Sequence, residues 1–211
     1  MPLYKTIQHS KNTKILIWKI TESFQELNSQ VVLEPSNIIR LNEMKSEMHQ
    51  RAFLSVRKLL QEINHTDADL FYDEFGKPHL KSIKKPTEFS EISITHSHQF
   101  SAIIISNKKV GIDIELQREK IIKIANKFSI EHIDKKVKQN YIKKLTVIWG
   151  AKEAIFKIKN EKGISFKDHI QVQPFEIEDN KTTAILNLNS KLENFKIHFQ
   201  EFENYTLVYA Y

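Results

Sequence analysis

Residues 14–20, Lys-Ile-Leu-Ile-Trp-Lys-Ile, form a short run rich in β-branched side chains and followed by polar sequence, the pattern of a buried strand. From residue 36 the period changes. Leu41, Met44, Met48, Ala52, Val56, Leu59, Leu60 and Ile63 recur at helical spacing, which predicts one long amphipathic helix over 36–64 with Ser36 or Asn37 as its N-cap. Residues 70–75 and 91–95 read as strands, separated by a Gly76-Lys77-Pro78 turn and a polar loop around Lys84, Lys85 and Pro86. Two further apolar runs, 100–106 and 110–116, are joined by Asn107-Lys108-Lys109, which predicts a hairpin.

After Arg118 the residues Ile121, Ile122, Ala125 and Phe128 share a helical face, and Ser129 signals the N-cap of a further helix. The strongest helix covers 141–158, where Tyr141, Leu145, Ile148, Ala151, Ile155 and Ile158 form one stripe without a proline. Residues 170–211 alternate apolar and polar positions in short stretches, as antiparallel strands do. Strand, long helix and strands thus occur once before about Asn107 and again after it. The expectation is an α+β protein of two similar α/β halves, residues 1–107 and 108–211.

Composition narrows the chemistry. With 211 residues, 40% of them hydrophobic, the chain can bury a sizeable core. No run approaches the roughly 18 apolar residues of a membrane span. The opening residues lack the apolar region and small-residue cleavage site of a secretory signal, so a cytoplasmic protein without membrane contact is expected. The absence of cysteine excludes a disulfide framework, a thiolate zinc site and a cysteine nucleophile, leaving catalysis to oxygen and nitrogen groups. A net charge of +6 favours an anionic partner, for which nucleic acid, a phosphorylated cofactor and an acidic protein all qualify, although a solvated lysine surface explains it equally well.

Four short segments carry candidate chemistry. In Val110-Gly-Ile-Asp-Ile-Glu115, Asp113 and Glu115 are two apart on a strand and project from one face, with Ile112 and Ile114 on the other. Such a pair is either an exposed acidic face or a site for a hard cation such as Mg²⁺. In Trp149-Gly-Ala-Lys-Glu-Ala-Ile-Phe-Lys157, Trp149, Glu153 and Lys157 succeed one another along one helical face. Glu153 and Lys157 are either a surface ion pair worth about 0.3–0.5 kcal/mol or a metal ligand or base beside a phosphate-neutralising cation. Ser93-Ile-Thr-His-Ser97 sets His96 among hydroxyls at a strand end, and Phe75-Gly-Lys-Pro-His-Leu80 is a turn whose Lys77 offers a cation.

In order and spacing these segments resemble the signature of the Sfp-type 4′-phosphopantetheinyl transferases. The resemblance covers about residues 51–165, including Lys127-Phe-Ser129 and Gly163-Ile-Ser165, and the length suits the single-chain pseudo-dimeric subtype, with one active site in the cleft between its halves. It implies transfer of the 4′-phosphopantetheine arm of coenzyme A to a serine of an apo acyl or peptidyl carrier protein, with Mg²⁺. Asp113, Glu115 and Glu153 resemble the family's metal ligands, and Lys157 its phosphate-meeting lysine. Glu153 also resembles the proposed base. Thr95, His96, Lys77 and Pro78 resemble contacts to coenzyme A, and Arg51 an arginine meeting its 3′-phosphate; Arg40 and Lys45 lie nearby in sequence. Thr95 stands where the family usually has Ser, and Gly150 where a larger residue is common. The first half would carry the nucleotide contacts, the second the metal and the chemistry, and a monomer would suffice. Rival readings are another Mg²⁺-dependent phosphohydrolase or nucleotidyl transferase, and an inactive coenzyme A-binding relative. A nucleic-acid-binding protein is disfavoured because the lysines are dispersed.

Overall fold

In the computed structural model, which describes residues 3–81, 90–131, 133–134 and 136–211, the chain divides into two compact units, Met1–Lys109 and Val110–Tyr211. The polar loop expected around residues 84–86 lies outside the described residues.

The first unit begins with β1 (Leu3–Ser10) and β2 (Thr13–Lys19) and continues through helices α1 (Phe24–Ser29), α2 (Pro35–Glu43) and α3 (Glu47–Gln61). Strands β3 (Leu70–Tyr72), β4 (Pro78–Leu80), β5 (Glu91–Ser97) and β6 (Phe100–Ser106) follow. An antiparallel sheet runs in the order β1-β2-β6-β5, and β3 and β4 pair as a separate hairpin. β2 is an inner strand, which is why its sequence reads as a continuous apolar run rather than an alternating one. Leu54, Leu59 and Leu60 of α3 share a core with Leu16, Trp18, Ile103 and Ile105.

The single helix expected over 36–64 is two. Met44 and Ser46 hold extended backbone, and the Gln50 side chain donates to the Leu41 and Met44 carbonyls at 3.2 Å each, satisfying the open end of α2. The break resets the helical phase, so Met48, assigned to the buried stripe, is 45% exposed. α2 starts at Pro35 after Glu34, not at Ser36 or Asn37. Asn37 instead donates its amide to the Asp67 carboxylate, which also takes the Glu34 N–H at 2.8 Å and Arg57 Nε at 2.8 Å. That buried pair ties α2, α3 and the turn before β3 together.

The hairpin expected over 100–116 does not form. Both edges of β6 are occupied by β2 and β5, and β7 (Gly111–Leu116) lies in the sheet of the second unit. That unit continues with α4 (Lys120–Ile124), α5 (Lys138–Lys159), β8 (Ile170–Val172), β9 (Lys181–Leu188), β10 (Lys191–Phe202) and β11 (Tyr205–Ala210). Its antiparallel sheet is ordered β7-β11-β10-β9-β8. The further helix expected after Ser129 is absent among the described residues. The Ser129 N–H closes the preceding turn on Ala125 O at 2.8 Å, and its hydroxyl serves Glu131 rather than capping a helix.

α5 lies across β7 and β11, with Leu145, Ile148, Ala151, Ile155 and Ile158 buried as its pattern predicts. Two glycines permit the close approach. A Cβ on Gly111 would stand 1.9 Å from the Ala154 carbonyl oxygen, and one on Gly150 would stand 2.7 Å from Val208 Cγ2. Among the described residues no helix is long and apolar enough to cross a membrane.

Candidate active site

β7 reaches the site through its alternation. Asp113 pairs across the ladder with Val208 and Glu115 with Thr206, and the side that carries both carboxylates faces α5. This face is covered by the helix: Asp113 is 5% exposed. From α5, Lys157 Nζ donates to Asp113 Oδ1 at 2.9 Å and to the Ile112 carbonyl at 2.7 Å. Lys157 therefore pairs with Asp113 on the sheet, and the i,i+4 ion pair with Glu153 weighed from the sequence is not among the ion pairs of the described residues. Lys157 sits in the last turn of α5, where the helix dipole favours a cation.

Glu115, Glu153 and Asp113 act on one another. Burial pushes the Glu115 carboxyl up to about 7, with the Asp113 charge adding to the rise. A hydrogen bond from the Trp149 indole holds it back; Glu153 pushes it further up and Lys157 pulls it down. Burial and then Asp113 likewise raise Glu153, with Lys157 opposing. Two carboxyls lifted by a third are an arrangement that a cation relieves, and the donors are all hard oxygens suited to Mg²⁺. The donor set fits such an ion in charge and ligand type. Among the described residues, however, no three His, Asp or Glu side chains converge closely enough to form a ready-made metal cage.

Trp149 does more than anchor the core. Its ring is bracketed by Phe128 at 5.1 Å and Phe166 at 5.5 Å, and its N–H reaches Glu115. Sequence reasoning gave no role to Lys152 or Glu131. Lys152 is fully buried and pairs with Glu131 Oε1 at 2.9 Å. Burial alone would raise the Glu131 carboxyl, but the hydrogen bond and charge of Lys152 bring it below its usual range. A signal was present: position 152 falls between Ile148 and Ile155 on the apolar stripe, where a charge demands a partner.

The residues expected to meet coenzyme A all lie in the first unit. Arg51, on α3, donates Nη2 to Ile20 O at 3.4 Å, and its buried Nε meets no hydrogen-bond partner among the described residues. His96 is exposed near the end of β5, and its ring centroid lies 6.0 Å from that of His49 on α3. Thr95 is buried at 5% exposure. Lys77 lies in the β3–β4 turn, 3.7 Å from Glu91 Oε2, and Pro78 opens β4. Glu91 and His96 are at opposite ends of β5, about 16 Å apart at the rise of an extended strand. The fold thus brings His96 to the start of α3 and anchors Lys77 at the far end of β5. Arg40 lies 4.9 Å from the Tyr72 ring, and Lys45 is exposed in the break between α2 and α3.

Residues 109–210 match the 4′-phosphopantetheinyl transferase superfamily. That match spans the second unit, which carries the acid cluster. Among curated proteins, "4′-phosphopantetheinyl transferase gsp" of Aneurinibacillus migulanus is 30% identical over 161 residues, covering 72% of this chain. The alignment is longer than either unit, so it reaches into both. The chain spans 63% of that relative's length. The resemblance read from the motifs is consistent with both matches.

Proposed function

We propose that this protein transfers the 4′-phosphopantetheine group of coenzyme A to a serine hydroxyl of an apo acyl or peptidyl carrier protein, with Mg²⁺, releasing 3′,5′-ADP. The observation that carries the reading is the clustering of Asp113, Glu115 and Glu153 around Lys157 in the unit that matches the superfamily.

Asp113, Glu115 and Glu153 would hold the Mg²⁺, whose chemistry is to polarise the pyrophosphate oxygens. Among the described residues Lys157 gives two of its three N–H groups to Asp113 and Ile112, which leaves one for a phosphate oxygen. It would offset the charge that grows on the departing 3′,5′-ADP. Glu153 would take the proton of the attacking serine. The first unit would hold the nucleotide end of coenzyme A: Arg51 and His96 at the 3′-phosphate, Thr95 beside them, and the Lys77-Pro78 turn at the base. The buried Arg51 Nε supports this, since an anion would give it the acceptor it does not meet among the described residues. The net charge of +6 would steer an acidic carrier protein toward the chain.

Incubation with coenzyme A, Mg²⁺ and a panel of apo carrier proteins, each followed by intact mass, tests the reading. At least one carrier should gain the phosphopantetheine mass, and a carrier whose acceptor serine is replaced by alanine should not. A panel without any gain would refute it.

A further inference from the structure

We propose that Lys152 is a positioning residue for the acid cluster, holding Trp149 so that its indole N–H meets Glu115. The kinetic consequence rests on the transferase reading, whereas the structural one does not.

The Lys152 side chain is 0% exposed. Its Nζ donates to Phe128 O at 2.6 Å and to Phe166 O at 3.0 Å and pairs with Glu131 Oε1 at 2.9 Å. Three partners consume all three hydrogens of an ammonium group, so none is left for a substrate phosphate. The two lysines flanking Glu153 thus differ in kind: Lys157 is partly open at 27% side-chain exposure, and Lys152 is sealed.

The two carbonyls that Lys152 binds belong to the residues whose rings bracket Trp149, Phe128 at 5.1 Å and Phe166 at 5.5 Å. One precedes α5 in the chain and the other follows it, so a single nitrogen ties both flanking segments to the helix beside the indole. Glu131 extends the tie to β8 by accepting the Val172 N–H at 3.1 Å. Trp149 is one turn before Glu153, and its N–H donates to Glu115. Removing the ammonium would take the Lys152 donor from the Phe128 and Phe166 carbonyls, leave Glu131 with the Val172 N–H but no counter-charge, and release both walls of the indole slot. The effect reaches Glu115 through Trp149 and not by direct contact.

The test uses a Trp18→Phe background, in which Trp149 is the only tryptophan and reports its own surroundings. Glu131→Leu/Lys152→Met replaces the buried pair by apolar groups of similar volume, a change that commonly preserves folding. In the folded double variant the Trp149 emission should shift to the red and become more easily quenched. Turnover should fall about 10–100-fold, the usual consequence of losing an outer support of a ligand set, with KM for coenzyme A unchanged. A merely structural pair would lower the denaturation midpoint yet leave both the emission and kcat of the folded protein as in the Trp18→Phe parent, and that result would overturn the proposal. Parental emission in the folded variant overturns it whatever the rate. Should the double variant not fold, Lys152→Arg is read by the same measurements with the same outcomes; it keeps a charge for Glu131 but spreads its N–H groups over a planar fork. A wild-type protein that transfers nothing would end the transferase reading, while the emission measurement still decides the role of Lys152.

Discussion

Replacing Glu115 by Gln removes the most strained charge of the acid cluster while keeping an oxygen for the Trp149 indole. The wild-type carboxyl rises from 4.5 to about 7 on folding, first through burial and then through the charge of Asp113. Between those values the folded protein holds a proton that the unfolded chain has released. Stability therefore falls as pH rises through this window and levels off above about 7. At about 1.4 kcal/mol per pKa unit the cost is about 3 kcal/mol in the absence of a bound cation. Glu153, also raised, contributes in the same direction, so Glu115→Gln should flatten the slope without abolishing it. The depressed Glu131 carboxyl acts elsewhere: its stabilisation is present above 4.5, is lost as pH falls below that value, and is common to both proteins. The assay is denaturant unfolding with divalent metal chelated. Wild type and variant should be similarly stable at about pH 5, and by about pH 8 the variant should be more stable by about 3 kcal/mol. Added Mg²⁺ should close that gap by stabilising the wild type more than the variant. A variant no more stable than wild type at about pH 8, or a gap that does not shrink toward pH 5, would show that Glu115 is not held protonated by the fold.

Gly111→Ala should destabilise by about 3 kcal/mol or more in denaturant unfolding, because its Cβ would meet the Ala154 backbone, which side-chain rotation cannot relieve. Gly150→Ala should cost about 1–3 kcal/mol, and adding Val208→Ala should recover most of it, since the clash is with that side chain. Coenzyme A should raise the melting temperature more than dephospho-coenzyme A does, and Arg51→Ala should erase the difference; equal shifts in wild type would remove Arg51 and His96 from the 3′-phosphate.

Much of the candidate site's geometry was legible because it is local. A period of two puts Asp113 and Glu115 on one face of β7, and α5 is long and strongly patterned, so Glu153 and Lys157 could be placed on it. The partners of those faces were not legible. β7 pairs with β11 at the far end of the chain, and nothing in residues 110–116 tells whether their acidic face meets water or a helix. Proximity in sequence favoured pairing with β6, and only the prior claims of β2 and β5 on its edges exclude it. The break between α2 and α3 was hidden because Met44 and Met48 continue the apolar spacing across it. β1 was missed because it is an edge strand whose residues are largely exposed, so its alternation is weak. Lys152 was passed over for a related reason: a buried charge announces itself only when the face it lies on is known to be covered.

In the proposed reaction Asp113, Glu115, Glu153 and Lys157 together would carry out phosphopantetheine transfer, with Glu153 as the base. A single-turnover experiment with an apo carrier protein, following holo-carrier and 3′,5′-ADP together in wild type and Glu153→Gln at saturating Mg²⁺, tests it most directly. Wild type should form the two products one for one. Glu153→Gln should still bind coenzyme A but transfer about 10²–10⁴-fold more slowly, because an amide cannot accept the serine proton. Full recovery of the rate in Glu153→Gln at saturating metal would contradict the assignment of the base, and a wild type that forms neither product with any carrier would contradict the account as a whole.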